Sequence, residues 1–217
     1  MSLVTPVNVV VVDLGALGMR EFIDSLDGCT VGLPAFDYWD KAQNRVYNGV
    51  EVKGRETRGY GDHSFRYAGK KMHPSPWESN EDVAWFKKVA EHHVSEELGK
   101  NVEFTFCLCG LYRTGEDSIP HHSDTVPTRD DVVFSISLGA ARVLEWDQYH
   151  YYIKKKTNTS KINIIWPSGS YLTKERYIME HGQAILFDGH SQMTSTHAVP
   201  PVLNSGERIN LTFRSGL

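Results

Sequence analysis

From Val102 onward the chain is written almost entirely in short strands, and this constrains its fold more than any other feature. Runs rich in β-branched and aromatic residues recur near Phe104–Tyr112, Val132–Leu138, Arg142–Trp146, Tyr149–Ile153, Lys161–Trp166, Gln183–Phe187, Thr196–Val199 and Arg208–Phe213. Eight short strands with turn signals between them suit a two-sheet jelly roll. Upstream, Asn8 to Val12 predicts a strand, and Met19, Phe22, Ile23 and Leu26 keep helical spacing up to Gly28. A second helix is predicted from Asn80 to Leu98, capped by Ser79, with Val83, Phe86, Ala90, Val94 and Leu98 in one stripe and Gly99 as its stop. The expected class is α+β but mainly β, in one domain covering residues 1–217.

Chemistry concentrates in two places. His122 and Asp124, two residues apart in an extended segment, would point to the same side. A distant histidine, His197 or His190, would complete two imidazoles and one carboxylate on one face of a metal. That set is the facial triad of non-heme Fe(II) oxygenases, which leaves positions open for a co-substrate and dioxygen. The strand Arg208-Ile-Asn-Leu-Thr-Phe-Arg214 follows. Alternation puts Ile209, Leu211 and Phe213 on one face and Arg208, Asn210, Thr212 and Arg214 on the other. Arginine forks bind carboxylates bidentately, so a two-carboxylate ligand such as 2-oxoglutarate would fit between Arg208 and Arg214. The alternative is an edge strand with a solvated polar face.

At this point the chain resembles a known family. The closing heptad, His122-Ser-Asp124 and the distal histidine are similar to the AlkB family of Fe(II)/2-oxoglutarate dioxygenases. The resemblance extends through Arg55-Glu-Thr-Arg-Gly-Tyr60-Gly61-Asp62, Phe65-Arg-Tyr67-Ala-Gly69, Pro74-Ser-Pro76-Trp77, Leu111-Tyr112-Arg113 and Ser135-Ile-Ser-Leu-Gly139. It runs from about Tyr47 to Arg214 and looks closest to the duplex-DNA repair branch. It implies a double-stranded β-helix, with residues 1–100 as an N-terminal helical and nucleotide-recognition part and 101–217 as the jelly-roll catalytic core. It implies Fe(II) on His122, Asp124 and His197, with 2-oxoglutarate and dioxygen as co-substrates. Arg208 would salt-bridge the far carboxylate of 2-oxoglutarate with help from Tyr112 and Asn210, and Arg214 would hold the iron-proximal one. His121, next to the triad, would point the opposite way.

The resemblance also implies a nucleic-acid substrate carrying alkylated bases, DNA ahead of RNA. A base reached inside a duplex must be flipped out and gripped by flat or apolar side chains. Tyr67 falls where the family stacks an aromatic on that base, opposite His122, and Tyr47 falls where the repair branch carries a wedge beside an Asn48-Gly49 turn. Arg55 and Tyr60 would join them at the substrate. Three departures stand out. Gly110 occupies the place of a family asparagine, removing one co-substrate donor. Thr125-Val126 follow Asp124 where an acidic base reader is common. The segment Tyr149–Tyr177 is longer than the matching hairpin, and could be a basic, aromatic lip for nucleic acid, a surface hairpin or an oligomer contact.

Composition narrows the partners. Net charge is −4, from 23 Lys+Arg against 27 Asp+Glu, which argues against wholesale coating of a phosphate backbone. Lys70-Lys71, Lys87-Lys88 and Lys154-Lys155-Lys156 remain candidates for a local basic stripe. No apolar run approaches a membrane span, and the start lacks a signal-peptide pattern. Cys29, Cys107 and Cys109 offer no disulfide framework, so a cytoplasmic or nuclear setting is expected, with a monomer favoured. Two further readings stay open: the same oxygenase chemistry on a protein side chain or small molecule, and a non-catalytic jelly-roll binding module.

Overall fold

The structure, a computed structural model, describes residues 10–13, 34–42, 44–47, 49–67, 70–124, 128, 130–149 and 171–216. The helix expected before Gly28, the strand expected at Lys161–Trp166, Thr125-Val126 and most of the 149–177 segment lie outside these residues. In chain order the elements are β1 (Val10–Asp13), β2 (Arg45–Tyr47), β3 (Val50–Val52), β4 (Glu56–Gly61), β5 (Phe65–Tyr67), β6 (Lys70–Met72), α1 (Glu81–Leu98) and β7 (Phe104–Tyr112). There follow β8 (Ile119–His122), β9 (Val132–Gly139), β10 (Arg142–Tyr149), β11 (Tyr171–Met179), β12 (Gln183–Asp188), α2 (Gly189–Thr194), β13 (Ser195–Val199) and β14 (Arg208–Ser215).

Two antiparallel sheets form the jelly roll. The larger has the order β1-β12-β9-β14-β7-β4 and the smaller β11-β10-β13-β8. Both β1 and β4, from the first hundred residues, are edges of the larger sheet. Between the sheets Tyr112, Val133, Ile185 and Phe187 pack against Ile119, Leu144, Trp146, Met179 and Val199. On the outer face of the larger sheet, Val83, Phe86, Ala90 and Val94 of α1 pack against Cys107, Cys109, Leu211 and Phe213. Each large side chain so buried stabilises the fold by roughly 1.5–3 kcal/mol. The helix is capped by Asn80, not Ser79, because the Asn80 side chain accepts the Val83 N–H at 3.0 Å. Gly99 closes it in the left-handed region with φ 61°.

After Val102, three strands differ from expectation for physical reasons. β10 continues to Tyr149 through the polar Asp147 and Gln148, because Asp147 is met across the sheet by Lys174 (3.5 Å) and His121 (3.8 Å). β11 was not expected at all. Its middle, Thr173 to Arg176, is charged and exposed, as an edge strand allows, and Arg176 pairs with Glu145 on β10 at 2.7 Å. β8, which carries His122, ends at that residue, so Ser123 and Asp124 are held by contacts other than a ladder.

Candidate active site

β14 is the spine of the site. Its register sets Arg208 beside Tyr112, Asn210 beside Gly110, Thr212 beside Leu108 and Arg214 beside Phe106, all facing the smaller sheet. The alternate residues Ile209, Leu211 and Phe213 face α1. The polar stripe is therefore buried inside the roll rather than solvated, and the edge-strand alternative fails: Arg208 is 5% exposed and Arg214 2%. Neighbours satisfy part of it. Arg208 Nε donates to Ser137 Oγ at 2.8 Å, Asn210 Nδ2 to Thr212 Oγ1 at 2.7 Å, and Ser135 and Thr212 share a hydrogen bond of 3.0 Å. Arg208 NH1 and Asn210 Oδ1 stay buried with no hydrogen-bond partner among the described residues, as expected of groups that meet a ligand.

The triad assembles across the smaller sheet. His122 on β8 pairs directly with His197 on β13, and their rings lie 4.3 Å apart. His197 in turn pairs with Trp146 on β10, which stacks on it at 5.5 Å and 11°. Asp124 lies beyond the strand end. Its backbone N–H donates to Gln192 Oε1 of α2 at 2.7 Å, and Ser123 Oγ donates to the Ser195 carbonyl at 2.7 Å. Arg214 NH2 donates to Asp124 Oδ1 at 2.6 Å, so the arginine orients the carboxylate. One ligand atom from each of His122, Asp124 and His197 falls within 4.8 Å of the others.

The electrostatics suit a divalent cation. Burial, reinforced by His197, pushes the His122 ring down to about 3 against the pull of Asp124. Burial pushes His197 down to about 4, again against Asp124. Both rings are thus neutral at physiological pH and offer lone pairs. His122 Nδ1 donates to the Pro120 carbonyl at 2.9 Å, which leaves its Nε2 as the ligand atom. Burial alone would raise the Asp124 carboxyl, but Arg214 and the two rings outweigh it and hold it well below the usual carboxylate range. Two neutral imidazoles and an ionised carboxylate fit Fe(II).

Among the other expected residues, Tyr112 and Arg55 line the same pocket, and Arg55 NH1 donates to the Tyr112 hydroxyl at 3.3 Å. Tyr60, expected at the substrate, is buried among Trp77, Cys107 and Cys109 on the α1 side, with its hydroxyl 3.5 Å from Asn80 Nδ2. Strand alternation is the reason: Thr57, Gly59 and Gly61 share the pocket face of β4 with the Arg55 just before it, and Tyr60 takes the opposite face. His121 does point away from the triad, toward Thr196 Oγ1 (3.2 Å) and Glu145 (3.4 Å). Tyr47 and Tyr67 have described backbones only. Tyr47 pairs with Val50 across a turn where Gly49 has φ 80°, and Tyr67 pairs with Lys70. The β5–β6 hairpin packs Met72 on Phe106 and Leu108 of β7, whose partners on β14 are Arg214 and Thr212. Gln192, Trp146 and Ser137 were not expected. For Ser137 a signal existed, since Ser135 and Ser137 alternate within an otherwise apolar strand.

Residues 39–214 match the family described as the 2OG-Fe(II) oxygenase superfamily. The chain is 30% identical over 167 residues to the alpha-ketoglutarate-dependent dioxygenase alkB homolog 3 of Homo sapiens, which covers 74% of this chain and 51% of that protein. It is 32% identical over 167 residues to the Rattus norvegicus protein of the same name, covering 74% and 50%. It thus spans about half the length of the curated relatives it matches. The solved structure of OsALKBH1 superposes with a TM-score of 0.53 at 15% identity, over 98% of this chain and 100% of that one, a likeness of fold alone.

Proposed function

This chain belongs to the 2OG-Fe(II) oxygenase superfamily, within its AlkB family, and from that premise we propose that it oxidatively demethylates N-alkylated bases in nucleic acid. Membership brings Fe(II), 2-oxoglutarate and dioxygen. When bound, the iron couples oxidative decarboxylation of 2-oxoglutarate by dioxygen to hydroxylation of a nearby C–H, and a hydroxylated N-methyl group leaves as formaldehyde. The observation that carries the proposal is one buried pocket lined by His122, Asp124 and His197 together with Arg208, Asn210 and Arg214.

The chain's own groups have separable tasks. His122, Asp124 and His197 would hold the iron, with Trp146 fixing one ring, Gln192 fixing the Asp124 backbone and Arg214 fixing its carboxylate. Arg208, Asn210 and Tyr112 would bind the far carboxylate of 2-oxoglutarate, and Arg214 would lie at the near one. Ile119, Leu144, Ile185, Phe187 and Val199 line the pocket with apolar surface that excludes water. Tyr67 and Tyr47, on hairpins outside the larger sheet, would stack on the flipped base and fill its place. DNA is the favoured nucleic acid, which implies work in the nucleus or cytoplasm. No helix among the described residues is long and apolar enough to cross a membrane.

The test is turnover of 2-oxoglutarate with and without methylated DNA and RNA oligonucleotides, with formaldehyde measured. Stimulated turnover with stoichiometric formaldehyde supports the proposal. Uncoupled turnover with no formaldehyde from any oligonucleotide transfers the same chemistry to a protein side chain or small molecule, and an inert protein leaves only a binding module.

A further inference from the structure

A glycine in the middle of a central strand weakens it, and often marks a place where another group comes close. Gly110 is such a residue on β7, and the group is Arg55. A Cβ at Gly110 would stand 2.4 Å from Arg55 Nε, 2.6 Å from Arg55 Cδ and 2.5 Å from Asn210 Oδ1. No larger residue fits beneath the arginine. Arg55 is held there firmly: Lys53, two residues before it, offers its carbonyl to the Ser118 N–H at 2.9 Å and to Ser118 Oγ at 3.0 Å, and Gly54 bridges Ser118.

The buried Arg55 side chain ends beside the groups of the co-substrate cradle. Its NH1 donates to the Tyr112 hydroxyl at 3.3 Å, and its guanidinium lies 5.6 Å from the Tyr112 ring centre, with that of Arg208 at 5.0 Å. Among the lining residues, Arg55, Arg208 and Arg214 face a single carboxylate, Asp124. Three cations gathered with one carboxylate, which Arg214 already engages, give the pocket lining a net positive charge that favours an anionic ligand. Asn210 Oδ1 and Arg208 NH1, both without a hydrogen-bond partner among the described residues, belong to residues lining the same pocket.

We propose that Arg55 is a positioning residue for 2-oxoglutarate, a third arginine of its cradle that only a glycine at position 110 admits. It holds the Tyr112 hydroxyl and adds its charge beside the far carboxylate, supplying from the approach to β4 the donor that Gly110 cannot carry on β7. An arginine at 55 in this pose and an amide side chain at 110 are therefore alternatives. This rests on Tyr112, Arg208 and Asn210 being the co-substrate cradle, and it removes Arg55 from the substrate-binding set.

The test is a calorimetric titration of 2-oxoglutarate into protein loaded with Mn(II), which does not turn over. Arg55→Met is expected to weaken binding about 10- to 100-fold, the scale of one or two charge-assisted hydrogen bonds. Gly110→Asn alone should also weaken it, by colliding with Arg55. The double variant Arg55→Met, Gly110→Asn should recover about tenfold over the weaker single variant, because the amide then fits. Relief of the collision explains recovery over Gly110→Asn, but a purely structural arginine would show no recovery of the double variant over Arg55→Met itself. Binding by Arg55→Met within twofold of wild type, or a double variant no better than Arg55→Met, overturns the proposal. So does loss of oligonucleotide affinity alone, which would return Arg55 to the substrate. Should Arg55→Met not fold, Arg55→Lys keeps the charge but not the fork, and wild-type affinity in it overturns the proposal equally. Arg208→Ala separates the two readings: if it too binds normally, the cradle itself lies elsewhere.

Discussion

His122 and His197 face each other across one antiparallel pair, so losing either opens the same metal position. His197→Ala is expected to abolish turnover and to drop metal content per protein sharply, as measured by elemental analysis. Retention of near-stoichiometric metal would show that another side chain, His190 among them, is the ligand. Arg208 is the complementary case. Burial lowers its guanidinium to about 10, with Arg55 and Arg142 adding to the effect, yet it stays protonated at neutral pH. A buried cation of this kind gains from an arriving carboxylate. Breaking a buried ion pair costs roughly 3–5 kcal/mol, so Arg208→Ala should weaken 2-oxoglutarate binding several hundredfold in equilibrium dialysis. Unchanged affinity would place the co-substrate elsewhere.

Elements are tied together by a few side chains that reach across turns. Arg142, at the start of β10, is 2% exposed and donates to the carbonyls of Thr114 (3.3 Å), Gly115 (3.4 Å), Asp117 (2.6 Å) and Pro200 (2.9 Å). It clamps the turn between β7 and β8 to the segment after β13, and β8 and β13 are the strands that carry the histidines. Arg142→Met should cost about 2–4 kcal/mol in urea unfolding, the loss of two or three charge-assisted bonds; a change under about 0.5 kcal/mol would mean the clamp is idle. A second tie is titratable. The Gly139 N–H donates to His181 Nδ1 at 2.9 Å, joining the turns after β9 and before β12, and burial lowers the His181 ring below its ordinary 6.5. The folded state favours the neutral ring. Its contribution is therefore present above pH 6.5 and lost as pH falls through the lower folded value. The urea midpoint should fall slightly more from about pH 7 to about pH 5 in wild type than in His181→Asn, which accepts the same bond without titrating. Parallel pH profiles would exclude the tie.

At the scale of the molecule, two hairpins, β2–β3 with Tyr47 and β5–β6 with Tyr67, form pairs separate from the larger sheet. The β5–β6 hairpin is anchored by Met72 on Phe106 and Leu108 of β7, and Val46 beside Tyr47 is 74% exposed. Base–aromatic stacking is worth ~1–3 kcal/mol per base. Tyr67→Ala should thus reduce formaldehyde release severalfold or more while leaving uncoupled 2-oxoglutarate turnover intact. Tyr47→Ala should impair duplex substrates more than single strands, because only a duplex has a vacated stack to fill. Equal loss on both, or no loss, would reduce Tyr47 to an ordinary hairpin aromatic.

What the sequence determined by itself is what local periodicity controls. The two faces of Arg208–Arg214, the apolar stripe of α1 and the shared face of Cys107 and Cys109, whose sulfurs lie 3.8 Å apart, follow from side-chain periods of two and 3.6. The same period of two, applied to β4, separates Arg55 from Tyr60. Other features had no local signal. β11 reads as a charged segment and becomes a strand because β10 offers it partners. Asp124 is aimed by Arg214 and Gln192, 90 and 68 residues away along the chain, after its own strand has ended. Arg55 finds room only because Gly110, on a neighbouring strand, has no side chain. Such contacts form when the two sheets close on each other, so the identity of the partner depends on register and packing. No short window of sequence contains that information.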